Sequence, residues 1–217
     1  MKKLLVLSLF TTLFFVEHAQ CDDYLIKITS KLSHVITNDS GQEVKINRIQ
    51  DVKNKLTDDF TKTSRECPPF CIQPTKIDKN VQNIAELELL DFVSKKVASH
   101  EGILIDTRLH SWFELETIPS AINLPFSVIE SASKAKVKRI FQILGMKIKS
   151  DGSWDFSKVK ELVIFDNGVW CAQVNHFLPN MLKYNYPADK IFYYRAGLQG
   201  WKLVGLTTIV HKEILKK

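Results

Sequence analysis

Three cysteines in the body of this 217-residue chain are the side chains best suited to covalent or redox chemistry. Cys67 and Cys71 are separated by three residues, two of them proline, whereas Cys171 has no other cysteine near it in the sequence. A pair at this spacing can close a local structural disulfide, exchange with the thiols of another protein, or bind a soft metal ion such as Cu(I). Because no histidine lies close to the pair and the histidines are scattered, we predict no metal site and no cofactor. The structural and the redox use of the pair both remain open.

Two further groups of candidate site residues follow apolar runs of the sequence. Asp106 and Arg108 follow residues 102–105, and Asp166 follows residues 162–165. The second run continues into the loop residues Asn167, Gly168, Val169, Trp170 and Cys171. In a parallel sheet, ligands bind where the strands end at their carboxyl edge and the helices begin. We therefore expect the two loops to lie at one edge of a sheet.

From residue 81 onward, short apolar strands alternate with helical patterns. The predicted strands cover residues 102–106, 121–124, 162–165 and 191–194. The predicted helices cover residues 84–97, 137–144 and 171–184, the last of which contains Pro179. This alternation is typical of a buried parallel sheet with helices on both faces, so the predicted fold class is α/β.

Residues 22–80 are predicted to form a small N-terminal extension of the main domain, which we place at residues 81–217. The extension is predicted to contain a strand at residues 24–28, a β-hairpin formed by residues 34–37 and 43–46, and a short amphipathic helix within residues 51–63. The Cys67–Cys71 motif lies near its end, where three prolines exclude a regular helix.

The first 21 residues are predicted to be a signal peptide. Two lysines precede an apolar run from Leu4 to Val16, which is shorter than the roughly 20 residues needed to cross a bilayer as a helix. Cleavage after Cys21 is the main prediction, and an uncleaved anchor or a lipid-modified Cys21 are the alternatives. No later run approaches a membrane span, so we expect no integral membrane segment after removal of the signal. Export would place the three remaining cysteines in an oxidising compartment.

The composition is that of a globular protein. Hydrophobic residues make up 45% and charged residues 25%, which excludes disordered, collagen-like and multi-span membrane classes. The net charge is +6, but basic and acidic residues are interspersed and form no long basic block. We therefore predict a solvated surface and no nucleic-acid partner.

Four stretches of the main domain resemble the rhodanese (sulfurtransferase) family. Residues 104–108 resemble its first strand and Asp-x-Arg, and residues 117–125 resemble its His-Ile-Pro-Gly-Ala-x-Asn-Ile-Pro stretch. Residues 163–171 fall at its active-site strand and loop, and residues 194–201 resemble its closing Gly-Gly-x-x-x-Trp segment. The resemblance covers residues 84 to about 208 and implies a rhodanese-like parallel sheet.

A closer resemblance is to exported bacterial rhodanese-like proteins. Residues 63–74 are similar to their Thr-Ser-Arg-x-Cys-Pro-Pro-Phe-Cys-Ile-Gln-Pro segment. Their active-site loop, Cys-Asn-Gly-x-Trp-Cys, is matched here except that Asp166 stands at its first cysteine. This resemblance implies a location in the bacterial periplasm.

The Asp166 position decides what chemistry the resemblance implies. In a rhodanese, a cysteine at the start of the loop attacks a sulfane donor and carries the sulfur as a persulfide. Inward-pointing backbone N–H groups and the start of the next helix stabilise the thiolate. A carboxylate oxygen cannot carry a sulfane sulfur, so we expect the ordinary reaction to be lost at this position. We interpret Asp166 as a capping residue, with an acid–base or cation-binding role as the alternative.

Cys171 is the only candidate to replace the missing nucleophile. It is predicted to lie near the first turn of a helix, where the helix dipole should favour its thiolate. It could act as a persulfide-forming nucleophile, act as a redox or disulfide-forming thiol, or simply pack as a small residue. Asp106 and Arg108 are expected to frame the loops rather than contact substrate. Trp170 could be an exposed recognition group or could fold back onto the domain.

Three functional hypotheses follow from these residues. The first is a thiol-redox, disulfide-linked or binding module that is not an ordinary thiosulfate sulfurtransferase. The second is a sulfurtransferase that uses a Cys171 persulfide, and the third is a non-enzymatic domain that binds an anion or another protein. The expected partners are another thiol or disulfide protein or a small sulfur compound.

Overall fold

The structure is a computed structural model that describes residues 24–211. The predicted signal peptide at residues 1–21 lies outside the described residues. The strands are β1 (His34–Asp39), β2 (Gln42–Asn47), β3 (Gln82–Asn83), β4 (Gly102–Asp106), β5 (Ile122–Asn123), β6 (Lys147–Ile148), β7 (Trp154–Asp155), β8 (Glu161–Phe165) and β9 (Ile191–Tyr193). The α-helices are α1 (Glu86–Phe92), α2 (His110–Leu115), α3 (Phe126–Glu130), α4 (Lys134–Ile143), α5 (Gln173–Lys183) and α6 (Gly197–Leu203). Between residues 24 and 211, no helix is both long enough and apolar enough to span a membrane.

A five-stranded parallel sheet carries the two loops singled out in the sequence. Its strand order is β3-β9-β8-β4-β5, and each neighbouring pair is parallel. In the central strand β8, Leu162 and Ile164 pack in one hydrophobic core, whereas Val163 and Phe165 pack in a second. Because successive side chains of a strand point to opposite faces, these two cores lie on the two sides of the sheet. The predicted α/β class with helices on both faces is confirmed.

The helices divide between the two cores. Helices α4 and α5 contribute to one core through Phe141 and Phe177, and helices α1 and α6 contribute to the other through Leu89 and Trp201. Helix α1 continues as a π-helical segment, Val93–Val97, so the helical region reaches the residue at which the sequence pattern ended. Helix α5 runs through Pro179, which is exposed.

The N-terminal extension contains the expected hairpin. Strands β1 and β2 pair antiparallel around Ser40 and Gly41, both of which have a positive φ, of 50° and 84°. Positive φ at both central residues is the geometry of a tight two-residue hairpin turn. Val35 and Ile46 of the hairpin are buried in the same core as α1 and α6.

Two predictions about the extension are wrong. Residues 24–28 form no strand, and residues 51–63 form no amphipathic helix but only a 3-10 turn at Asp59–Thr61. The side chain of Asp58 accepts a hydrogen bond from the Phe60 N–H at the start of this turn, and the backbone is extended again at Lys62. Val52, which would belong to the apolar face of the predicted helix, is 72% exposed. The Phe60 carbonyl oxygen instead accepts a hydrogen bond from the Gln199 side chain at 2.9 Å, a tertiary contact that local spacing does not indicate.

Candidate functional site

The loop between β8 and α5 begins with a carboxyl group that is completely buried. The Asp166 Oδ1 accepts a hydrogen bond from the Gly168 N–H at 3.1 Å, and its Oδ2 accepts one from the Val174 N–H at 3.1 Å. Val174 is the second residue of α5, so its N–H is one of those left unpaired at a helix start. Asp166 thus occupies the point at which amides of the loop and of the helix converge.

Burial has a large effect on this carboxyl group. It raises the pKa of Asp166 from its ordinary value of 3.8 to about 7. The hydrogen bonds from Val174 and Gly168 and a contact with the Cys171 thiol act in the opposite direction, and the charge of Asp106 adds to the increase. Desolvation is the dominant cause. Asp166 therefore titrates near neutral pH.

Cys171 lies beside Asp166 and is buried, with only 5% of its surface exposed. Burial and the neighbouring charge of Asp166 raise the pKa of the thiol to about 12, although backbone N–H groups of Asn167 and Gln173 lower it. The Asn167 side-chain amide also points to the sulfur, at 3.8 Å. The helix start favours the Cys171 thiolate through the Gln173 N–H, as expected, but desolvation and a nearby carboxylate outweigh this effect and the net pKa shift is upward.

Asp106 and Arg108 form a buried ion pair that supports the loop from the neighbouring strand. The Arg108 Nη2 lies 2.7 Å from the Asp106 Oδ2, and its Nε lies 3.0 Å from Oδ1. The Thr117 hydroxyl donates to the same carboxylate at 2.7 Å. The remaining Arg108 nitrogen, Nη1, donates to the Asn167 Oδ1 at 3.2 Å. The pair thus orients Asn167, which in turn points at the Cys171 sulfur.

The start of α6 supports the loop from a third side. The N–H groups of Leu198 and Gln199 donate to the carbonyl oxygens of Asp166 and Asn167, at 2.9 and 3.0 Å. Gly197 has a φ of 60°, and a Cβ there would lie 2.5 Å from both the Asp166 carbonyl oxygen and the Gly168 nitrogen. A glycine is therefore required for this close approach of backbone to backbone.

The far end of the loop is covered by the N-terminal extension. The Trp170 indole N–H donates to the Gln199 Oε1 at 2.6 Å, and the Arg65 guanidinium lies 3.7 Å from the centre of the Trp170 ring. The Phe70 ring meets the Trp170 ring edge-on at 5.6 Å between centroids. The Gln73 N–H donates to the Val169 carbonyl oxygen at 2.8 Å. Trp170 is thus held against the domain by side chains of the extension.

Residues 65–73 are the segment of the extension that covers the loop, and Cys67 and Cys71 form a disulfide within it. Cys67 is exposed and Cys71 is half-buried. The segment forms one wall of a cavity of about 280 Å³ whose lining also includes Arg108, Asn167, Trp112 and Glu116. Among residues 24–211, no three His, Cys, Asp or Glu side chains come together as metal ligands would.

Comparison with known proteins identifies the family of this chain. The family model described as Rhodanese-like domain matches residues 88–203, which is more than half of the chain. The chain belongs to the rhodanese-like domain family. No curated protein matches this rhodanese-like chain.

Several solved structures are similar to the rhodanese-like chain at low identity. A protein from Bacillus halodurans is 15% identical, with 61% of this chain and 80% of that chain covered and a TM-score of 0.44. Thiosulfate sulfurtransferase from Pseudomonas aeruginosa is 15% identical, with 62% and 21% covered and a TM-score of 0.44. A single-domain sulfurtransferase from Saccharomyces cerevisiae is 14% identical, with 56% and 89% covered and a TM-score of 0.39.

The rhodanese-like fold brings most of the sequence-predicted site residues together. Asp166, Asn167 and Cys171 meet in the loop, and Asp106 and Arg108 support it from β4 and the residues after it. Arg65 and Gln199 were not among the predicted site residues, because their contacts with Trp170 join segments that are distant in the sequence. The only early signal for Arg65 was its place in the cysteine-containing segment that resembles exported relatives.

Proposed function

We propose that this rhodanese-like protein does not transfer sulfur through position 166 and instead acts as an exported thiol–disulfide and binding module. The observation that carries the proposal is the pair of backbone N–H groups bound to the Asp166 carboxyl oxygens. In a sulfurtransferase such groups would stabilise a thiolate, but an oxygen at this point cannot carry a sulfane sulfur. The Cys171 thiol is not a ready replacement, because burial and Asp166 raise its pKa.

The thiol–disulfide part of the proposal rests on the exposed Cys67–Cys71 bond. Exchange requires that a thiolate reach one of the two sulfur atoms, and an exposed segment provides that access. The predicted signal peptide would deliver the chain to the periplasm, where disulfides persist. The expected partner is a protein dithiol or a small sulfur compound.

Sulfur transfer is tested first, with thiosulfate as donor and cyanide as acceptor. We expect no turnover by the wild type and no added sulfur on Cys171 by mass spectrometry, and we expect the Asp166→Cys variant to accept sulfur at position 166. The Cys171→Ser variant is the matched control. Wild-type turnover that disappears in Cys171→Ser would overturn the proposal and establish a Cys171 persulfide enzyme.

Disulfide exchange is tested on protein purified from its native compartment without reductant. We expect Cys67 and Cys71 to be protected from alkylation, and to become reactive after incubation with a small dithiol while Cys171 stays unmodified. A Cys67–Cys71 bond that resists the dithiol until the protein unfolds would remove the redox role and leave a structural disulfide.

A non-enzymatic binding domain is the second candidate, and the cavity beside the loop favours it. Two guanidinium groups, from Arg65 and Arg108, line this cavity together with Phe70 and Trp170. Thiosulfate is a suitable anionic probe of Arg65, because Arg108 is paired with Asp106. The carboxylates that also line the cavity, those of Asp58, Asp59 and Glu116, are paired with Lys202 and Lys62. We expect thiosulfate to raise the melting temperature of the wild type more than that of Arg65→Gln, and equal shifts would exclude this site.

A further inference from the structure

The segment that carries the Cys67–Cys71 disulfide is attached to the loop on both sides of the bond. Arg65, two residues before Cys67, stacks on the Trp170 ring, and Gln73, two residues after Cys71, donates its N–H to the Val169 carbonyl oxygen. The Gln73 carbonyl oxygen accepts a hydrogen bond from the Arg195 Nη2 at 2.6 Å. The disulfide therefore closes the part of the chain that lies between two anchoring points on the domain.

Inside the closed segment, one side chain also reaches the loop. The Phe70 ring contacts Trp170 edge-on, and the Arg65 guanidinium lies 5.9 Å from the centre of the Phe70 ring. The Phe70 N–H donates to the Glu66 carbonyl oxygen at 2.9 Å, so the turn is fixed by one backbone hydrogen bond in addition to the disulfide. Without the covalent bond, Phe70 is held only by these contacts and by the anchors at Arg65 and Gln73 on either side of the bond.

The same three side chains, Arg65, Phe70 and Trp170, form a wall of the 280 Å³ cavity that also contacts Arg108 and Asn167. We propose that the Cys67–Cys71 disulfide is a redox latch: its reduction releases Arg65 and Phe70 from Trp170 and opens this cavity toward Asn167. This inference rests on the proposed thiol–disulfide function and specifies what the exchange regulates.

The exchange step begins at Cys67, the more exposed of the two cysteines. A thiolate of a partner protein dithiol attacks the Cys67 sulfur, the Cys67–Cys71 bond breaks, and the Cys71 thiolate leaves and takes up a proton. The second partner thiol then attacks the mixed disulfide and releases Cys67 as a thiol. Two electrons pass to this chain, and the partner leaves as a disulfide.

Linkage makes the latch reciprocal. If reduction opens the cavity and a ligand binds only the open form, the ligand must favour the reduced state by the same factor. Ligand binding in the cavity and the redox state of the Cys67–Cys71 bond then report on one equilibrium, and each can be measured separately.

The test compares oxidised and fully reduced protein by NMR of the tryptophan indole N–H groups and by hydrogen exchange of backbone amides. We expect reduction to shift the Trp170 indole signal, which its loss in Trp170→Phe identifies, and to speed exchange of the Gln73 amide by about tenfold or more. The signals of Trp154 and Trp201, which pack in the two cores, should not move. A Cys67→Ser/Cys71→Ser variant should reproduce the reduced state without reductant.

A second pair of variants separates the latch from the exchange chemistry. Phe70→Ala should give the Trp170 signal and Gln73 exchange of reduced protein while its disulfide remains intact. Ile72→Ala is the matched control, since Ile72 lies in the same segment but is 81% exposed. If the disulfide exchanges with a dithiol but neither signal responds to reduction, the latch is wrong and the thiol–disulfide function stands. If the bond does not exchange, the proposed function fails, and the Cys67→Ser/Cys71→Ser variant still decides whether the bond controls the loop.

Discussion

The carboxyl group of Asp166 should make folding stability depend on pH in a direction unusual for a carboxylate. Its pKa is raised from 3.8 to about 7 by burial. Between these values the unfolded chain has lost the proton and the folded chain keeps it, so stability falls as pH rises. One pKa unit corresponds to about 1.4 kcal/mol, so the full shift of about three units is equivalent to about 4 kcal/mol. Most of this loss occurs between pH 4 and pH 7.

The Asp166→Asn variant removes the titration and keeps the size of the side chain. One of its two terminal atoms becomes an NH2 group that faces a backbone N–H of Gly168 or Val174, which costs about 1–3 kcal/mol at every pH. The stability of the wild type minus that of Asp166→Asn should therefore fall by about 2.5 kcal/mol from pH 5 to pH 8, whatever its starting value. Urea unfolding at several pH values, with the disulfide intact, measures this difference.

Asp151→Asn is the control for the pH series. Asp151 is fully exposed, and hydrogen bonds from Ser153 lower its pKa. Any small pH dependence of the stability difference between the wild type and Asp151→Asn should therefore have the opposite sign and appear only at acid pH. A difference curve for Asp166→Asn that is flat from pH 5 to pH 8 would show that Asp166 is ionised throughout, and would refute the argument from burial.

Two further predictions concern the thiol and the backbone of the loop. The pKa of Cys171, raised from 9.0 to about 12, should make its alkylation by iodoacetamide at pH 8 about 1,000-fold slower in the folded chain than in urea; comparable rates would contradict its burial. Gly197→Ala should lose about 1–3 kcal/mol more stability than Gly152→Ala in urea unfolding. Both glycines have a positive φ, but only the Cβ at 197 would meet backbone atoms, of Asp166 and Gly168 among others, whereas the Cβ at 152 meets nothing within 4 Å. Equal losses of stability in Gly197→Ala and Gly152→Ala would show that the backbone around residue 197 moves to accommodate the added Cβ.

The sheet could be predicted because its strands carry their own local signal. The predicted strand at residues 162–165 lies within β8, and the predicted strand at residues 102–106 coincides with β4. Both strands are buried on two faces, so a short uninterrupted apolar run is sufficient to indicate them. The hairpin turn was equally local, since Ser40 and Gly41 follow two residues that favour turns.

Features that depend on distant contacts could not be predicted in the same way. The spacing of Val52, Leu56 and Phe60 matched an amphipathic helix, but Phe60 is bound through its carbonyl oxygen to the Gln199 side chain at 2.9 Å. The contact between Arg65 and Trp170 likewise joins residues far apart in the sequence. The sequence placed Cys171 near a helix start but contained no measure of its burial, and burial determines the sign of its pKa shift.

Asp166 also acts on its neighbour Cys171, in the direction that the proposed function requires. Both groups are buried at the same loop; the charge of Asp166 raises the pKa of Cys171, whereas contact with the Cys171 thiol lowers the pKa of Asp166. Ionised Asp166 holds the two hydrogen bonds from Gly168 and Val174, which leaves the thiol with a carboxylate neighbour as well as a desolvated site. Removing the Asp166 charge alone would lower the pKa of Cys171, but burial, the larger cause, would remain. Under the proposed function, sulfur transfer at this loop therefore requires a thiol at position 166, whereas the Cys67–Cys71 bond lies outside the loop and is exposed at Cys67.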